Sequence, residues 1–235
     1  MDSPKRTARL AGLLYLLSSI PGAFALLYVP SRLIVEGNPT ATADRLRAFP
    51  NLLRLGIGAE MLGMTLFILL ALVLYRLFRT TSPEPALWML VLILLPMPIS
   101  FLGVVPEVAA LNLAGGAGGT SYLSIVGSPQ RDALAYFCLD LHDSAVMVAQ
   151  VFWGLWLFPF AICVIRSGFI PRFLGVLLVI AGVGHLAHAV AVLVFPQHSA
   201  AVGQVTRVLT KGELLMILWL LIWGARPRPA HEAPI

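Results

Sequence analysis

The chain has 235 residues, 59% of them hydrophobic and only 11% charged, with a mean hydropathy of +0.89 and a formal net charge of +5. An ordinary soluble domain is far less apolar, and surface-to-volume scaling disfavours hiding so many apolar blocks inside a small water-soluble protein. The positive charge does not point to nucleic acid: no basic run carries interleaved aromatics, and the Arg residues sit mostly at the ends of apolar blocks, where they anchor to headgroups.

Six apolar spans are predicted, giving an all-α polytopic membrane fold over residues 5–225. Span one, about Leu10 to Val29, follows the basic start Lys5, Arg6 and Arg9. It is too long for a signal-peptide core and lacks a clear cleavage site, so it reads as a retained helix. Pro30 to Pro50 reads as a linker with a short amphipathic helix around Ala43 to Ala48. Span two runs from about Leu52 to Phe78. Span three, about Ala86 to Leu113, contains Pro96, Pro98 and Pro106, which predict a kinked or broken helix. A glycine-rich loop follows at Gly115 to Gly119; with no Lys after it and no strand before it, a phosphate cradle is disfavoured.

Span four is long, about Asp132 to Ile165. It carries both cysteines, Cys138 and Cys163, about 37 Å apart along the helix axis. They cannot bridge to each other within that helix and read as apolar packing residues. Ser167-Gly168-Phe169-Ile170-Pro171 reads as a tight turn, Gly stopping one helix and Pro starting the next. Span five covers about Phe173 to Phe195 and span six about Val202 to Gly224. The Pro-rich tail, residues 226–235, reads as disordered. An even number of spans puts both termini on one side, and the basic residues favour the cytoplasm, nine inside against seven outside.

Depth arithmetic singles out the polar residues. Measured from the nearest inner-face Arg at 1.5 Å per residue, Glu213 and His185 lie about 20 Å deep, and Glu60, Gln150 and His188 about 24 Å. Asp140, His142 and Asp143 reach roughly 34–39 Å, and Glu107, measured from Glu84, about 34 Å. The inner part of every span is nearly free of ionisable groups, which points to a polar cavity in the outer half of the bilayer above an apolar plug. Glu213 and Glu60 are the acid/base candidates, with His185 beside them. His142, Asp143, Gln150, His188, Arg54 and Glu107 are the ligand-binding candidates.

His185 and His188, three apart on one helical face, could ligate a metal with His142; no cofactor follows from spacing alone. The plainer readings stand beside these. Glu60 and Glu213 could be structural ion pairs with Arg54 or Arg207. The histidines could be interhelical hydrogen bonds, and Lys211 could snorkel. Asp140, His142, Asp143 and Glu107 could lie among outer headgroups. The glycines of spans two and five read as close-packing positions, and the tryptophans mostly as lipid or interface anchors.

Several segments carry a family resemblance: Arg6 to Tyr15, Arg54-Leu55-Gly56, Leu141-His142, Phe152 to Leu155, Ser167 to Arg172, Leu174 to Leu178 and Gly212-Glu213-Leu214. Together they resemble a family of bacterial integral membrane proteins known as domain of unknown function 4386. The resemblance covers nearly the whole chain and implies a polytopic fold in the bacterial cytoplasmic membrane, with no activity attached. The expected function is binding of a lipophilic small molecule among membrane lipids, with or without its modification. A transporter or channel, and a structural or regulatory membrane partner, are the alternatives.

Overall fold

The computed structural model describes residues 3–115, 123 and 125–225, and every regular element among them is helical. α1 (Pro4–Ala23) passes through one π-helical turn (Phe24–Tyr28) into α2 (Val29–Leu33). Pro21 and Pro30 lack the N–H that a regular ladder needs, and between them the Val29 N–H reaches back to the Phe24 carbonyl. α3 (Pro39–Ala48) is capped by Asn38, whose side chain accepts from the Ala41 N–H at 3.0 Å. It is longer than the short helix expected in the linker. α4 (Pro50–Phe78) is unbroken.

α5 (Pro83–Leu94) and α6 (Met97–Leu113) divide the third predicted span at Pro96, as its prolines anticipate. Predicted span four becomes α7 (Ser128–Leu155) and α8 (Leu157–Ser167), joined through Trp156; Pro159 has no N–H to return to the Leu155 carbonyl. Gly168, in the left-handed region at φ 69°, ends α8, and Ser167 Oγ accepts from the Ile170 N–H at 3.3 Å inside the turn. α9 (Arg172–Val194) follows, then a 3-10 turn (Pro196–His198), α10 (Ser199–Leu209) and α11 (Gly212–Ile222).

Five helical segments are long and apolar enough to cross a bilayer: Pro4–Leu33, Pro50–Phe78, Pro83–Leu113, Ser128–Ser167 and Arg172–Val194. They mark a multi-pass membrane protein. At most half of any of their most apolar stretches is buried in the protein, and large apolar side chains such as Leu27 and Leu102 stand about 70% exposed. The sixth predicted span differs. It breaks at Thr210–Lys211 into α10 and α11, 11 residues each, and a helix of that length reaches only about 16 Å. Gly116 to Gly119 and the tail Arg226 to Ile235 lie outside the described residues, and Arg226 was the depth reference for Glu213.

The chain forms two compact units. The first takes its described residues from Met1–Leu16, Leu66–Pro96 and Met147–Ile235, the second from Leu17–Thr65 and Met97–Val146. The first has a core of Tyr15, Leu74, Phe78, Met89, Trp156, Phe160, Leu178 and Leu220. Trp156, grouped in sequence with the interface anchors, is instead 2% exposed and stacks on Phe160 with ring centroids 5.2 Å apart. α7 and α9 touch backbone to backbone here: a Cβ on Gly182 would lie 2.9 Å from the Gly154 carbonyl oxygen.

In the second unit Val29, Leu33, Leu46, Leu53, Ala110 and Leu139 form the core. The segment between α2 and α4 is tied to α7 by polar contacts. Arg47 donates to Asp132 at 2.8 Å, and the Gly37 N–H to the Tyr136 hydroxyl at 3.1 Å. Asp132, with Asp44, raises the Arg47 guanidinium further above its already high pKa, through hydrogen bonding first.

Three substitutions test this packing. Gly182→Ala must push α9 from α7 and is expected to lose about 1–3 kcal/mol of stability. Gly58→Ala, which meets nothing within 4 Å, should be neutral or slightly stabilising; unfolding in detergent distinguishes the two. Arg47→Ala leaves the buried Asp132 without its cation and should cost about 1–3 kcal/mol in the same assay.

Candidate functional site

Most of the polar residues singled out by depth fall into two clusters, one in each unit. In the first unit, α11 carries Glu213 and α9 carries His185. His185 Nε2 lies 2.8 Å from Glu213 Oε1. The Tyr15 hydroxyl, from α1, donates to Glu213 Oε2. Gln150 Nε2, from α7, faces His188 Nδ1 at 3.0 Å and His185 Nδ1 at 3.4 Å. With Nδ1 of His185 accepting from an amide, its Nε2 carries the proton and donates to the carboxylate.

Glu213 thus meets two donors on two other helices. Arg207 makes no ion pair with it, and Lys211, two residues away, is exposed. A carboxylate with both oxygens engaged by fixed donors is well placed to hold helices and poorly placed to accept a substrate proton. Tyr15 is the member that spacing and depth did not single out; a tyrosine in an apolar span carries no signal that separates it from core.

In the second unit, α4 supplies Glu60, α6 Glu107 and α7 His142. All three are buried, at 7%, 6% and 5% exposure. His142 Nδ1 lies 3.0 Å from the Gly103 carbonyl oxygen, so Nδ1 holds the proton and donates. Its Nε2 then faces Glu60 Oε2 at 3.7 Å and Glu107 Oε1 at 3.9 Å. These are not hydrogen bonds. Glu107 Oε2 is buried with no partner. Gly103 makes the arrangement possible, because a Cβ there would already press on Ala145 of α7 at 3.3 Å.

Beside this cluster lies a small cleft, partly open to the surroundings, whose enclosed volume of about 10 Å³ is roughly that needed by one water molecule. Its walls are Val29, Pro30, Leu33, Ile34, Leu46, Leu53 and Leu139, and its polar side is Glu107, His142 and Asp143. The π-helical turn ends directly before Val29 and Pro30, so this bulge sets the entry of two cleft residues, a common place for such turns.

The profile of the family described as Domain of unknown function (DUF4386) matches residues 10–224. The chain belongs to that family. Neither curated proteins nor solved structures give a match. The matched stretch of this DUF4386 protein contains every residue of both clusters.

The sequence grouped these residues otherwise. It set Glu213 and Glu60 together as an acid/base pair, whereas each has its partners inside its own unit. It paired His185 and His188 as metal ligands with His142. Among the described residues, the one group of three potential ligands is Glu60, Glu107 and His142, while the Nδ1 atoms of His185 and His188 turn to Gln150. Arg54 is exposed and donates to Asn51 at 3.1 Å rather than to Glu60. Asp140 is exposed, and so is Asp143, which lines the cleft.

Glu213→Gln leaves one acceptor for the two donors Tyr15 and His185. The expected loss is about 1–3 kcal/mol, read by unfolding in detergent. A change of the His185 ring tautomer, read from its imidazole nitrogen shifts, should accompany it; an unchanged tautomer and unchanged stability would contradict this role.

Proposed function

We propose that this protein binds a lipophilic molecule in the cleft of the second unit and presents a polar group of that molecule to Glu60, Glu107 and His142. The observation that carries the reading is the make-up of the cleft: seven apolar walls and, on the polar side, Glu107 and His142. Small-molecule sites have this composition, an apolar enclosure with a few convergent polar groups. Two carboxylates and an imidazole in one buried group are also able to move a proton to or from a bound molecule, so modification is within reach of the site. Arg32, Arg45 and Arg54 are exposed next in sequence to the cleft residues Leu33, Leu46 and Leu53, which favours an amphiphile with an anionic end.

The same reading takes α10 and α11 as the two halves of a sixth crossing, with Lys211 snorkelling from the break. Both termini are then cytoplasmic, in a bacterial inner membrane, and the cleft faces the outer half of the bilayer. The charge count of nine basic residues inside against seven outside supports this orientation. Membrane lipids are the partners, and nucleic acid is not. A structural role fits the Glu213 cluster alone, because both of its carboxylate oxygens have donors.

The test is mass spectrometry of apolar molecules retained after purification in mild detergent. Leu139→Trp and Leu53→Trp, which fill the cleft, should each lower retention of the bound molecule at least about tenfold, equivalent to roughly 1.4 kcal/mol of binding. A folded wild type that retains nothing displaced by either substitution would sink the reading.

A further inference from the structure

We propose that Glu60, Glu107 and His142 form a binding site for one divalent metal ion of the Zn²⁺, Mn²⁺ or Fe²⁺ class. One oxygen from each carboxylate and His142 Nε2 are its protein ligands.

Three observations converge on it. The ligand atoms of the three residues all lie within 4.8 Å of one another, and the His142 distances are 3.7 and 3.9 Å. Ligands about 2.0–2.2 Å from a common ion stand roughly 3.3–3.6 Å apart. Closing to that spacing takes small turns of the side chains. The second observation is the imidazole. Its Nδ1–H is committed to the Gly103 carbonyl, which leaves the Nε2 lone pair facing two carboxylates. Three acceptors turned toward one point repel unless a proton or a cation lies between them. A histidine that donates one ring N–H to a backbone carbonyl while the other nitrogen binds metal is the usual arrangement around such ions.

The third observation is Glu107 Oε2, buried and without a hydrogen-bond partner. Glu107 is 6% exposed, and buried polar atoms of this kind are rare enough to require an explanation. Among the described residues neither Glu60 nor Glu107 forms an ion pair with Arg or Lys. Two carboxylates and one neutral imidazole balance a divalent charge, which removes the cost of two buried anions side by side. Oxygen-rich ligation with a single imidazole favours borderline or hard divalent ions over soft ones. Glu107 and His142 also line the cleft, so the ion's remaining positions are open to water or to a polar group of a bound molecule.

This site shares residues with the proposed cleft but stands without it. The experiment uses the full chain in detergent, stripped with a chelator and with no apolar ligand added. It is titrated with Zn²⁺, Mn²⁺ and, as a spectroscopic probe, Co²⁺. One ion per chain is expected, with visible Co²⁺ absorption of a low-coordinate site. E107Q and H142Q should each weaken binding about 10–100-fold, while H188Q, in the other cluster, should not. If E107Q or H142Q fails to fold, E107D, which keeps the charge and moves the oxygen, should still shift the Co²⁺ spectrum. The assignment is overturned if folded wild type binds none of the three ions, if binding survives E107Q and H142Q unchanged, or if H188Q abolishes it. Loss of metal binding with lipid retention intact would remove the metal site alone; the reverse would remove the cleft reading alone.

Discussion

A carboxylate inside an apolar helix needs a donor or a cation close by, and its own helix supplies neither, because the backbone N–H groups are already engaged. The partner must therefore come from another helix. Both polar clusters follow from this demand. In the first unit it is met by a phenol and an imidazole, from α1 and α9, and the carboxylate on α11 becomes a junction. In the second unit no Arg or Lys among the described residues meets it, and two carboxylates and an imidazole lone pair face one another. The two clusters differ in that contrast, and no single residue type announces it.

Glycine and proline decide whether the helices can deliver these groups. Gly103 lets α6 approach α7 while its carbonyl holds the His142 ring, so one residue sets both the spacing and the tautomer. Pro21 and Pro30 bracket the π-helical turn that brings Val29 and Pro30 to the cleft. Arg47 and Asp132 then hold the connecting segment against the start of α7, with Asp132 almost fully buried. Each contact costs the chain regular helix or desolvated charge. In the second unit the gain is an apolar enclosure that ends on polar groups.

Much of the fold was legible in the sequence. Long apolar blocks placed five spans, Pro96 broke the third, and Gly168 stopped α8 where the turn was expected. Depth along each helix also found most of the polar residues that matter, including Glu60, Glu107, His142, Gln150, His185 and Glu213. It could not sort them into clusters, because spacing within a helix says nothing about which helices are neighbours. That is why His142 was grouped with His185 and His188, and why Tyr15 was passed over. The break at Thr210–Lys211 was missed for a related reason: a hydropathy run averages across a two-residue interruption. Trp156 lost its expected place at the interface to aromatic packing with Phe160 and Phe67, a tertiary effect.

The Gln150 amide has one consequence for how charge behaves in the first unit. Its single nitrogen faces the Nδ1 atoms of both His185 and His188. A carboxylic acid, an imidazole or a water there would pass a proton along by exchanging roles, but a carboxamide nitrogen gives up its hydrogens only at extreme cost. The row from Tyr15 to His188 is continuous as a set of hydrogen bonds and interrupted as a conductor. Gln150 acts as an insulator between the two rings, so no proton passes through it between His188 and the Tyr15–Glu213–His185 junction.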